Sequence, residues 1–366
     1  MRMKAESDFE AQAKLKLKEL LARVSFISLG APEVAQNLGV HGQGRPDFVL
    51  PVEVGNEHWR LIGEIKMQAQ PRQIRMAVLE LKDYLNTLGD QRAYPILLAP
   101  YISPNSAEIC RQAGVGYADL AGNCQLMFGN VFIERSGVSN PQVEKRGLRS
   151  VFAPKSARIL RALLRKPDKA WKVADLAEAT GTSYGQVSNV RKALVDQEWA
   201  KIESDGLRLV RPNAVLDAWS SAYTKRGGTR TRYYTPLLGD NLDSQIKAAL
   251  ADAGQGAHAV LAAFSAARWL APFARYPSQM FYADEAGESV LSERLQLVPV
   301  SKGENVVIER PEDDGVIADR IEAAPGYWAT GLVQTFLDLT QFGERGIEAS
   351  AHLRQTRIEP LWKGMA

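Results

Sequence analysis

Asp47, Glu64 and Lys66 are of residue types that can do chemistry together. Glu64 and Lys66 lie two positions apart in an apolar segment, so in a strand their side chains share a face. If the strand begun at Asp47 pairs with that segment as a hairpin, Asp47 joins them at one end. Two carboxylates offer hard oxygen ligands to a divalent metal, Asp47 and Glu64 being the ligands. A neighbouring lysine can orient and activate a water for attack on a phosphodiester. The bland alternative is charge alternation on a solvated strand, with Pro46-Asp47 as a turn.

A second set reads differently. Val187, Val190 and Leu194 recur at helical spacing, which leaves Tyr184, Gln186, Ser188, Asn189, Arg191 and Lys192 on the opposite face. Gln and Asn can pair bidentately with adenine and Arg with guanine. Hydroxyl groups and the lysine ammonium can hold phosphates. Arg208 and Arg211, just downstream, can reach a flanking backbone. Asp119 and Asn123 flank a glycine turn; they either bond to the backbone of that turn or add to a polar cleft near Glu64.

These residues need elements to hold them. Ser7-Asp8-Phe9-Glu10 has the spacing of a capping box and predicts a helix from there to about Arg23. Strands are expected at 47–50 and 59–66, a helix over 72–88, a strand at 94–99 and a helix at 104–113. Short strands are expected at about 116–120, 124–128 and 130–135. Strands alternating with helices predict an α/β domain over 1–138, and a polar linker at 139–151.

Ile159, Leu160, Leu163 and Leu164 mark the first helix of the next module, and Trp171 to Ala179 a second. Thr180-Gly181-Thr182 makes a tight turn, and Ser183 with Gln186 caps a third helix. Helix, turn, helix is the DNA-reading arrangement. Two strands follow, 200–203 and 207–210, joined through Ser204-Asp205-Gly206, a tight-hairpin signal. The sum is a winged helix over 152–228, with Thr224 to Arg230 as a second connection. Residues 229–366 read as an α+β domain, with strands at 281–283, 295–300 and 305–309. Its helices are expected at 243–253, 265–271, 330–341 and 345–356.

Charge supports the placing of DNA. The chain of 366 residues carries a net charge of only +3, yet residues 151–235 hold 16 Lys or Arg against 8 Asp or Glu. Basicity gathered in one module is the footprint of a phosphate-binding surface, or else a solvated basic face. Two cysteines, Cys110 and Cys124, are too few for a disulfide framework and predict a reducing compartment. The four histidines have no zinc-ligand spacing. With no long apolar run, the expectation is a cytoplasmic protein without a spanning helix.

Pro46-Asp47, a gap, then Glu64-Ile65-Lys66, within helix, strand hairpin, helix and strand, resembles the PD-(D/E)xK restriction-endonuclease-like superfamily. That resemblance implies a Mg²⁺- or Mn²⁺-dependent nuclease or an inactive scaffold of the same fold. Gln68 looks like the polar residue that some branches place after the motif. A helical carboxylate from the N-terminus would be Glu19 or Glu33. From the winged helix onward the chain resembles the AbiEi-like antitoxin and transcriptional-regulator family. That likeness rests on the runs His258 to Pro272, Glu304 to Ile308, Phe336 to Leu339 and Arg345 to Ser350.

The second resemblance implies a regulator that binds double-stranded DNA without a cofactor. It also implies a nucleotidyltransferase-like toxin encoded nearby and a nucleotidyltransferase-like C-terminal domain. Phe264-Ser265 would stand where active enzymes carry Gly-Ser. Asp313-Asp314 are adjacent rather than alternating, so they would face opposite ways in a strand, and no nucleotidyl transfer is expected. Three readings stand: a non-enzymatic DNA-binding regulator, a metal-dependent nuclease delivered by the winged helix, and an interaction protein using the same modules.

Overall fold

A computed structural model describes residues 2–33, 45–138, 151–223, 228–252, 258–273 and 276–363. Most of the expected linker, 139–150, and part of the second connection, 224–227, lie outside the described residues. The architecture is α+β, with two mixed sheets and a small ribbon. Backbone contacts divide the chain into two units, Met1–Glu144 with Asp196–Glu198, and Lys145–Val195 with Trp199–Ala366.

The first unit opens on α1 (Arg2–Leu21) and β1 (Ile27–Leu29). Helix α1 begins at Arg2, upstream of the start expected at Ser7. The sheet continues through β2 (Phe48–Val54) and β3 (Glu57–Ile65), then α2 (Pro71–Leu88), β4 (Ala93–Ala99), α3 (Pro104–Ala113) and β5 (Gly116–Asp119). It ends with β6 (Cys124–Phe128) and β7 (Val131–Arg135), the seven strands lying in chain order. Strand β3 pairs antiparallel with β2 and parallel with β4, which in turn runs parallel to β5. Helices α2 and α3 make the two crossovers that parallel strands require.

Alternation along the central strands sends Leu61, Ile96 and Leu98 to one face, against Ala13 and Leu17 of α1. It sends Ile62 and Leu97 to the other, against Ile74, Ala77, Val78 and Leu81 of α2. Gly63 is required where Phe48 crosses β3, since a Cβ there would lie 1.9 Å from the Phe48 ring.

The second unit begins with α4 (Pro154–Arg165), α5 (Val173–Thr180) and α6 (Tyr184–Asp196), then the ribbon of β8 (Ala200–Glu203) and β9 (Gly206–Leu209) and helix α7 (Pro212–Ala222). A mixed sheet follows, with β10 (Thr229–Tyr234), α8 (Gly239–Asp252), β11 (Ala259–Leu261), α9 (Ala263–Leu270), β12 (Gln279–Ala283) and α10 (Glu285–Arg294). Its remaining elements are β13 (Val298–Pro299), β14 (Val306–Arg310), α11 (Gly315–Ala318), β15 (Ile321–Ala324) and β16 (Tyr327–Ala329). Helices α12 (Leu332–Leu339) and α13 (Gly343–Leu353) close the unit before one π-helical and one 3₁₀ turn. The strand order is β13-β10-β14-β12-β11-β16-β15.

One core runs from Ile159 and Leu163 of α4 through Trp219 of α7 to Phe281 of β12 and Leu337 of α12. The Trp362 indole closes it, donating to the Leu164 carbonyl at 3.0 Å. The three N-terminal helices of this unit and its sheet therefore share their burial and form one hydrophobic body.

Candidate nucleic-acid interface and acidic site

Helix α6 is set by its neighbours. Leu176 and Ala177 of α5 are buried, and Gly181 ends that helix in the left-handed region (φ 61°), turning the chain into α6. The Ser183 hydroxyl accepts from the Gln186 N–H at 3.2 Å, the first half of the expected capping box. The other half does not form, because the Gln186 amide donates to the Ser156 hydroxyl of α4 instead. Val187, Val190 and Leu194 are buried. Tyr184 is 65% exposed, and Ser188, Asn189 and Lys192 are exposed while Gln186 and Arg191 are half-buried.

The ribbon is anchored at its base. Trp171 and Leu207 exchange backbone hydrogen bonds at 2.8 and 2.9 Å, adding a third strand-like edge. Gly206 sits at φ 141°, where a Cβ would lie 2.5 Å from the Trp171 carbonyl. The register pairs Glu203 with Gly206, so the two-residue turn is Ser204-Asp205, one residue earlier than an Asp-Gly turn. Arg208 is tied down: its Nε donates to Glu203 at 2.7 Å and its Nη2 to Asp205 at 3.2 Å, with Nη1 on the Asp168 carbonyl. Arg211 and Lys201 are exposed.

Three arginines counted in the basic excess are engaged by groups of their own unit, Arg161 buried, Arg158 half-buried and Arg165 exposed. Arg158, Arg161 and Arg165, at i, i+3 and i+7 of α4, form one stripe along that helix. Arg158 grips Asp313 through three hydrogen bonds of 2.8, 3.1 and 2.9 Å. Arg165 pairs with Asp319, and Arg161 approaches the same carboxylate at 3.7 Å. The exposed positive charge is accordingly smaller than the sequence count.

In the first unit, Asp47 comes just before β2, its N–H donating to the Gly63 carbonyl at 2.9 Å. Its Oδ2 accepts from the Ile65 N–H at 2.6 Å. The Lys66 ammonium sits 2.7 Å from Glu64 Oε1 and 3.6 Å from Glu80 of α2. The hairpin thus brings Asp47, Glu64 and Lys66 to the ends of β2 and β3. Burial raises the Glu64 carboxyl above its ordinary value and Asp47 adds to that, partly offset by Lys66. Burial would lower Lys66, but the hydrogen bond to Glu64 and the charges of Glu64, Glu80 and Asp47 carry it upward.

Two residues here carried no sequence signal. Glu80 lies 16 positions from Glu64 on another element, and the Lys14 ammonium of α1 is 3.5 Å from the Asp47 carbonyl. Glu19 pairs with Lys16 at 3.7 Å, Glu33 bridges Val49 through its backbone, and Gln68 accepts from Gln73 at 3.2 Å. Asp119 is consumed by its turn, accepting from the backbone of Ile102, Gly122 and Asn123 and from the Asn123 amide. Among the described residues, no helix is long and apolar enough to cross a membrane.

Residues 208–356 match the profile of a family described as transcriptional regulator, AbiEi antitoxin, type IV TA system. The match supports an AbiEi-like identity for that segment. It covers less than half of the chain and begins after α4, α5 and α6. No curated protein and no solved structure matches the chain.

Proposed function

We propose that the chain is a DNA-binding transcriptional regulator of the type IV antitoxin kind, with α6 entering the major groove and the β8–β9 ribbon as its wing. The observation that carries this reading is the exposed polar face of α6, held from behind by Val187, Val190 and Leu194. The regulator family matched by residues 208–356 supports it from the other half of the same unit. Asn189 and Arg191 are the base-reading candidates, and Tyr184, Ser188, Lys192 and Arg211 hold phosphates. Gln186 and Arg208 support the surface more than they reach from it, given their bonds to Ser156 and to the ribbon carboxylates. No cofactor is needed. As an antitoxin, the protein would counter a nucleotidyltransferase-like toxin encoded nearby, its own sheet being a nucleotidyltransferase-like fold without the activity.

The test is a titration of duplex DNA from upstream of the protein's own gene, followed by fluorescence anisotropy over a range of salt. Binding that weakens steeply with salt is expected, since phosphate contacts release counterions. Salt-insensitive or absent binding removes the reading.

A second reading rests on Asp47, Glu64 and Lys66 meeting at the end of one hairpin: a PD-(D/E)xK-type nuclease. The donor types suit a divalent cation, two carboxylates being hard oxygen ligands, with Asp47 Oδ2 accepting from the Ile65 N–H and Glu64 Oε1 from Lys66. Asp47 and Glu64 would hold Mg²⁺ or Mn²⁺, which would supply Lewis-acid stabilisation of a phosphodiester. Lys66 would position a water beside them. Mn²⁺ binding by calorimetry that is lost in Glu64→Ala, with duplex cleavage lost in Lys66→Ala, supports it; an intact duplex with Mn²⁺ present leaves the regulator alone.

A further inference from the structure

Of the four edges of the two seven-stranded sheets, three are blunted. Strand β1 has three residues, β13 has two and includes Pro299, and β15 shifts register between Glu322 and Ala324. Short strands, prolines and bulges keep an edge from pairing with another chain. The fourth edge, β7, has none of these. Its five residues, Val131-Phe132-Ile133-Glu134-Arg135, pair with β6 in unbroken register. Phe132 and its cross-strand neighbour Met127 are 62% and 60% exposed. Alternation puts these two large apolar side chains on the face of the sheet turned away from α1.

The register fixes which main-chain groups of β7 are left over. The Asp119 N–H donates to the Asn123 carbonyl at 2.9 Å, so the Asn123 main chain faces β5. Successive residues of a strand turn alternately to its two neighbours. Gln125 and Met127 therefore also face β5, while Cys124, Leu126 and Phe128 face β7. Their partners there are Arg135, Ile133 and Val131. Phe132 and Glu134 consequently aim their N–H and C=O groups outward, where the sheet ends.

We propose that β7 pairs antiparallel with β7 of a second copy of this chain, about a two-fold axis through Ile133, joining the two first-unit sheets into one. In this register Phe132 and Glu134 exchange N–H···O bonds with Glu134 and Phe132 of the second copy. Every outward donor and acceptor is then satisfied, whereas a nucleic-acid backbone has no N–H to offer the outward carbonyls. No like charges meet: Glu134 lies opposite Phe132, and Arg135 opposite Val131. The two Phe132 side chains stand on the diagonal, about 7–8 Å apart at the backbone and within aromatic reach. With Met127 of each copy they form one apolar strip. On the other face the paired Ile133 side chains extend the core beneath α1. Both copies use the same patch, so the contact closes at a dimer.

The test uses the intact chain without DNA or metal, so its outcome is separate from both functional readings. Light scattering after size exclusion, at micromolar concentrations, should give twice the chain mass. Phe132→Glu sets a carboxylate against Glu134 of the second copy and is expected to weaken association about tenfold or more. Adding Glu134→Lys should restore it. Melting temperatures establish that both variants are folded. The two Ile133 positions form a non-hydrogen-bonded pair with Cα atoms about 4.5 Å apart, within the span of a disulfide. Ile133→Cys should therefore cross-link to a dimer under mild oxidation, and Phe132→Cys, on the diagonal, should not. The native cysteines are both buried and do not interfere. A monomer at every concentration, larger open assemblies, association unchanged in Phe132→Glu, or equal cross-linking of the two cysteine variants overturns the proposal.

Discussion

Cutting the Arg158–Asp313 pair measures how firmly α4 is fastened to the loop before α11. The pair has three hydrogen bonds between 2.8 and 3.1 Å, and its side chains are 29% and 13% exposed. Fully exposed pairs contribute about 0.2–1 kcal/mol, while hydrogen bonds to charged groups contribute about 1.5–3 kcal/mol. Partial burial and fork geometry place the coupling between these, at about 1–2 kcal/mol. Asp313 also accepts from the Gly315 N–H at 2.8 Å, so Asp313→Ala loses roughly another 1 kcal/mol that Arg158→Ala does not. The assay is urea denaturation of the wild type, both single variants and the double variant. Asp313→Ala should be the more damaging single change, and the double variant less damaging than the sum. A coupling below about 0.3 kcal/mol, the ordinary scatter of independent sites, refutes the reasoning.

Other outcomes follow from the same geometry. Gly206→Ala should cost about 1–3 kcal/mol, since it adds a Cβ against the Trp171 backbone at an unfavourable φ; denaturant midpoints check it, and an unchanged midpoint would show that the ribbon yields freely. Lys192→Ala should weaken duplex binding alike for all sequences and flatten the logarithmic salt slope by about 0.9. Arg191→Ala should weaken it with an almost unchanged melting temperature; equal affinity would remove Arg191 from the interface. Asp284 caps α10 and lies below the usual carboxylate range: burial opposes this, but the N–H groups of Gly287 and His258 and the His258 ring outweigh it. Its stabilisation is therefore present above the ordinary aspartate value and is lost as pH falls through the lowered one. Asp284→Ala should cost about 1 kcal/mol at neutral pH and little in strong acid.

The elements that announced themselves were those with one clean period. The stripe Ile74, Ala77, Val78 and Leu81 marked α2, and Ile159 to Leu164 marked α4, because each buries one face. The run from His258 to Pro272 hid a boundary: β11 and α9 are both buried, so apolar residues continue through the strand and into the helix. Strand β10 reads Thr-Arg-Thr-Arg-Tyr-Tyr, an exposed alternation beside a glycine pair, and its first two residues fall within the connection expected at Thr224 to Arg230. Helix α10 buries only Gly287 and Leu291, too few for a period to show. In the acidic site, spacing along one strand disclosed Glu64 and Lys66, whereas Glu80 depends on where a crossover helix docks. Charge counting treats every arginine as free in water, and so missed that Arg158, Arg161 and Arg165, on one stripe of α4, meet Asp313 and Asp319.

That stripe bears on how the DNA-reading part can be handled. A fragment cut after α7 would leave behind Asp313, Asp319 and Gln334, and the three guanidinium groups on its flank would lose their partners. Such a fragment would adhere to any polyanion, RNA and heparin included, and its affinity for DNA would overstate that of the intact chain. Measurements of selectivity belong to the uncut protein, in which those cations are already engaged.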